Sequence, residues 1–140
     1  MKGTIIYYLL IFILLVGCVG PGTGDFDIDL GENYSVISTS PDSIVIAPRN
    51  SSTNGWEAPI IPSKVTEVSQ SENFILAKQI QELDDSDNHS TKINYWILNI
   101  VNDDVHGPLN EDEFETLTID LNIHDIDFKD VKELYEIRNP

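Results

Sequence analysis

Ile93-Asn94-Tyr95-Trp96-Ile97-Leu98-Asn99-Ile100-Val101 is the stretch on which the fold turns. In an extended chain successive side chains point to opposite faces. Ile93, Tyr95, Ile97 and Val101 therefore share one face, and Trp96, Leu98 and Ile100 the other. Both faces are apolar. A strand of that kind lies inside a sheet and is covered on both sides.

Before it, short β-branched runs bounded by turn residues predict strands at Phe26–Leu30, Tyr34–Ser38, Ser43–Ala47, Val65–Ser69 and Phe74–Ile80. Pro41-Asp42, a Pro/Ser/Asn segment from Pro48 to Pro62 and the polar stretch Asp84–Thr91 separate them. After it, Asn102-Asp103-Asp104 predicts a hairpin turn into a short strand at Val105-His106. Helical spacing takes over past Gly107-Pro108. Asn110 with Glu113 three residues on has the form of a capping box, and Phe114, Leu117 and Leu121 make one apolar face. A second helix is predicted from Asp127, with Val131, Leu134 and Tyr135 inward and Lys132 and Arg138 suited to its dipole. The expected fold is a single α+β domain over residues 25–140. It has a small antiparallel sheet of about five to seven strands with one or two C-terminal helices packed on it.

The N-terminus follows a different grammar. Lys2 precedes an apolar run from Ile5 to Val16, which breaks at Gly17 and Gly20-Pro21-Gly22. That run is short of the roughly 18 residues a spanning helix needs and fits the core of an export signal. Its end, Leu15-Val16-Gly17-Cys18, resembles the bacterial lipobox. The resemblance implies removal of Met1–Gly17 and diacylation of the Cys18 thiol, leaving residues 18–24 as lipidated cysteine and tether. Two acyl chains suffice for stable anchoring where one does not. The protein is expected to be exported and held on the extracytoplasmic face of the cell membrane.

Removing 17 of the 140 residues leaves 123, long enough to bury a core without a metal or a disulfide. Cys18 is the only cysteine, so no intrachain disulfide and no free thiol nucleophile are expected. The chain holds 24 acidic and 8 basic residues, a formal charge of −16 that becomes −17 without Lys2. Such a surface is repelled by nucleic acid; a cationic partner or an envelope protein suits it better.

Ile61-Pro62-Ser63-Lys64-Val65, Phe74-Ile75-Leu76-Ala77-Lys78-Gln79, Asn94-Tyr95-Trp96-Ile97-Leu98, Gly107-Pro108-Leu109 and Glu113-Phe114 follow one another in that order. Together behind the Cys18 motif they resemble a family of small bacterial lipoproteins, domain of unknown function 3997. The likeness runs from about Gly24 to Ile123. It implies an exported lipoprotein and brings no activity, ligand or catalytic residue.

No known chemistry fits the remaining signals well. Asp25, Asp27 and Asp29 share one face of a strand. Read as a calcium loop they have Leu30 where glycine is needed and Val36 where glutamate closes it. Asp84, Asp85 and Asp87 fail likewise, with Ser90 and Trp96 at those positions. A solvated surface explains both clusters. His89, His106 and His124 have no metal-ligand spacing, and no nucleophile elbow, Ser-x-x-Lys or Walker loop is present. No metal, cofactor or catalytic residue is therefore expected. Trp56, in a loop between Gly55 and Pro59, is either a plug over the sheet or a recognition residue; with Tyr95 and Trp96 it marks the candidate binding surface. These readings favour a non-enzymatic binding module tethered at the envelope. The alternatives are a small envelope hydrolase using a carboxylate pair and a structural or stress-related envelope protein.

Overall fold

In a computed structural model, residues 25–139 are described except for 54, 86 and 87. The expected signal sequence, Cys18 and the expected tether lie outside the described residues, as do the side chains at 84–89.

Alternation builds the first sheet. Strand β1 (Phe26–Gly31) pairs antiparallel with β2 (Tyr34–Ser40), which pairs with β3 (Ser43–Pro48). Ile28 stands opposite Val36, and Val36 opposite Ile46; all three are at most 2% exposed. Asp27 and Asp29, one residue out of phase, face solvent from an edge strand. The β1–β2 turn needs left-handed backbone at three consecutive residues, Gly31 (φ 83°), Glu32 (47°) and Asn33 (69°). Glycine adopts that region freely and asparagine tolerates it.

The second sheet has the order β7-β6-β5-β4-β8. Its strands are β4 (Val65–Ser71), β5 (Phe74–Asp85), β6 (Asn88–Asn99), β7 (Asp104–Leu109) and β8 (Lys129–Asp130). Neighbours are all antiparallel. Two helices follow β7, α1 (Glu111–Asp120) and, after β8, α2 (Val131–Arg138). The described residues thus form an α+β fold of eight strands in two sheets with two C-terminal helices.

The two apolar faces of β6 explain the layering. Trp96 and Leu98 point with Val68 and Ile75 toward the three-stranded sheet, where they meet Ile28, Val36, Ile46 and, from α2, Val131 and Leu134. Ile97 points with Leu76 to the opposite face, under Phe114 of α1 and Ile123. Tyr95 stacks on Phe114 there, ring centroids 4.7 Å apart. Burying each such side chain contributes about 1.5–3 kcal/mol, and β6 supplies both layers at once.

Several boundaries differ from the sequence reading. The β5–β6 ladder continues through Gln81↔Lys92 to Asp85↔Asn88, so most of the polar stretch expected as a loop is strand. Backbone pairing with an adjacent strand overrides composition here. At its other end β6 stops at Asn99; Val101 lies in the turn and is 72% exposed. Strand β7 runs through Gly107-Pro108 to Leu109 before the helix begins. The capping box at Asn110 and Glu113 is present in both directions, at 2.9 and 2.8 Å. The second helix starts at Val131 with Asp130 as its cap, rather than at Asp127. Before it, the Asp127 amide donates to Ser69 Oγ at 3.0 Å and Lys129-Asp130 pairs with β4.

Candidate functional site

Strand β1 enters the fold beside the open end of the inner core. There Phe26 stacks on Tyr135 of α2, centroids 4.8 Å apart and planes inclined by 26°. Below them Ile44 of β3 is 4% exposed. Together they line a groove of about 890 Å³ between the three-stranded sheet and α2, whose other walls include Thr39, Ser40 and Lys132. A smaller cleft of about 280 Å³ adjoins it, sharing Pro41, Ile44 and Lys132 and reaching Lys64 and Glu82, which form an ion pair.

Local sequence explains how the walls are set. Pro41-Asp42 turns β2 into β3 and forms one lip. Asp130 Oδ1 accepts from the Lys132 amide at 2.8 Å and the Glu133 amide at 3.3 Å, which fixes where α2 begins. Arg138 at its other end donates to the Asp29 carbonyl and to Gln70 Oε1. The helix is thus held at both ends, with Tyr135 left half-buried on the groove side. An apolar floor, an aromatic wall and a charged rim suit binding. No histidine lines the groove.

The residues singled out from sequence are not brought together. Trp96, 8% exposed, is a core residue: its Nε1 donates to Gln79 Oε1 at 3.1 Å. Gln79 Nε2 in turn donates to the Ser63 carbonyl at 2.9 Å. Asn94 Nδ2 donates to Gln79 at 3.4 Å and to Gln81 at 3.1 Å, while its buried Oδ1 has no hydrogen-bond partner among the described residues. Gly107 lies on the Trp96 ring. Tyr95 faces the opposite layer, against Phe114. Trp56 is 36% exposed and carries the Arg49 guanidinium 4.8 Å from its ring centroid. Arg49 also lines a separate polar pocket of about 310 Å³ with Asp29, Glu32 and Asn33.

Tyr34 ties the two sheets together at that far end by donating to Asp103 Oδ1. Burial first, and then this hydrogen bond and the Asp103 charge, push its phenol up to about 12. Asp27 lies 3.8 Å from Arg49, and Asp29 accepts from the Gly31 amide. Among the described residues no three His, Cys, Asp or Glu side chains are placed to hold a metal ion. No helix among them is long and apolar enough to cross a membrane.

The groove was not legible in the sequence. Its aromatic wall joins residues 26 and 135, and the only trace was an inward assignment for Tyr135.

The model of the family described as Protein of unknown function (DUF3997) matches residues 31–132. That match runs further toward the C-terminus than the sequence phrases did, into α2, and it leaves Phe26, Tyr135 and Glu136 outside. No curated protein and no solved structure matches the chain. Since the match covers most of the domain, the chain belongs to this family of proteins of unknown function, DUF3997.

Proposed function

We propose that this protein is a non-enzymatic binding module, anchored by lipid on Cys18 at the outer face of the cell membrane, with the groove beside Phe26 and Tyr135 as its binding site. The observation that carries the reading is the position of that groove. Asp25, the first residue described, is part of its lining. An extended chain spans at most about 3.6 Å per residue, so seven residues from Cys18 keep the groove within roughly 25 Å of the acyl chains. A ligand at the membrane surface is within its reach.

A photoreactive side chain placed at Thr39, exposed in the groove, tests the proposal in living cells. A discrete crosslinked product is expected there, absent from a control position at Glu115 on the outer side of α1, and lost in Cys18→Ala. Equal products at both positions would remove the groove as the site. No product at either would favour a structural envelope role. Turnover of cell-wall or peptide substrates, abolished by a single Asp or Glu substitution, would replace the reading with the hydrolase one.

A further inference from the structure

Among the described residues, most cations of this chain are engaged by carboxylates. Arg49 meets Asp27, Lys64 meets Glu82, Lys78 meets Glu67 at 2.7 Å and Lys129 meets Asp127 at 3.6 Å. With 24 acids against 8 bases, many carboxylates are left without a cation. Two of them, Asp25 and Glu136, line the groove, and neither forms an ion pair among the described residues. Each is next in sequence to one ring of the Phe26–Tyr135 stack. Asp42 extends the acidic rim into the adjoining cleft. Against these stands Lys132, on the wall shared by both spaces and also without an ion pair among the described residues.

An apolar floor under a net-negative rim complements a segment in which apolar and basic residues alternate. We propose that the groove captures a cationic amphipathic peptide; this rests on the reading of the groove as the binding site. Charge complementarity disfavours an anionic ligand and a second copy of the chain. An anion in the groove would meet the Lys132 ammonium and the two carboxylates of Asp25 and Glu136, and a second copy of this chain would bring the same large negative charge against itself. Location supports the choice too. Anionic lipids concentrate basic amphipathic peptides at a membrane surface, where the Cys18 anchor would hold the groove.

The test uses the intact protein as extracted from membranes in a non-ionic detergent, titrated by calorimetry with a capped pentapeptide KFKVK. Saturable one-to-one binding is expected. The D25N/E136Q pair should weaken it about tenfold, and K132Q should strengthen it about threefold, magnitudes typical of partly desolvated rim charges. Y135A should weaken it as well, while an apolar-free control, KSKSK, should not saturate. All three altered charges are exposed, and unchanged circular dichroism would show that the fold is kept. Unchanged affinity in D25N/E136Q, weaker binding in K132Q, or equal binding of KSKSK would overturn the proposal. Preference for EFEVE, lost in K132Q, would overturn the cationic assignment while leaving the groove as the site. Absence of all binding together with no crosslink at Thr39 would overturn both.

Discussion

Gly107→Ala is the substitution whose effect follows most directly from the geometry. A Cβ built on Gly107 would sit 2.4 Å from Trp96 Cε3 and 2.6 Å from Cδ2, and the backbone there has φ 152°. The indole cannot yield easily, because its Nε1 is held by Gln79 and the ring is buried. Backbone of this kind costs a non-glycine residue about 1–3 kcal/mol, and forcing an extra methyl against a packed ring costs about 1–3 kcal/mol more. The expected loss is about 3 kcal/mol, or roughly 10 °C in Tm for a domain of this size. Gly31→Ala is the matched control. It also has positive φ, 83°, but nothing lies within 4 Å of the added Cβ, so only the backbone cost of about 1 kcal/mol remains. Urea unfolding followed by far-ultraviolet circular dichroism measures both, and an unchanged denaturant slope would show that stability alone had moved. If Gly107→Ala lost no more than Gly31→Ala, the close packing of Gly107 on Trp96 would be wrong.

Gln79→Leu should cost about 2 kcal/mol in the same assay, because it strands the buried Trp96 N–H and one Asn94 donor interaction; a neutral result would mean the network contributes nothing net. Asn110→Ala removes the α1 cap and should cost about 1 kcal/mol, with Asn110→Ser recovering most of it. Tyr34 titrates at about 12, above its ordinary 10.0, so the fold favours the protonated phenol. Its contribution is complete below pH 10 and is lost as the pH rises through 12, a fall on the order of 2 kcal/mol. Unfolding free energies measured from pH 9 to 12 should show that fall in the native chain and not in Tyr34→Phe.

What could be read from the sequence was whatever local pattern determines. The two apolar faces of the Ile93–Val101 stretch predicted a strand covered on both sides; Leu76 and Ile97 on one face with Trp96 and Leu98 on the other match it, whereas Ile93 and Val101 at its ends are exposed. Asn110 and Glu113 predicted a capping box because both partners are three residues apart in the chain. The start of α2 was not legible. Asp127 and Asp130 are equally good caps by type, and the choice was made by a long-range contact, Asp127 to Ser69, with Phe128 packed beneath Lys78 at 4.5 Å. Alternation put Tyr95 and Trp96 on opposite faces, but sequence could not place Trp56 relative to either. The groove was least legible of all. Phe26, Ile44 and Tyr135 come from three distant elements and are joined only by the docking of α2 on the first sheet.

The proposed anchor would give the groove its setting, so the most direct measurement is the intact mass of the protein extracted from membranes. The expected chain begins at Cys18, lacks Met1–Gly17 and carries a diacylglyceryl group on the cysteine. A chain that retains Met1, or one that carries Cys18 as a free thiol, would contradict the proposed anchor.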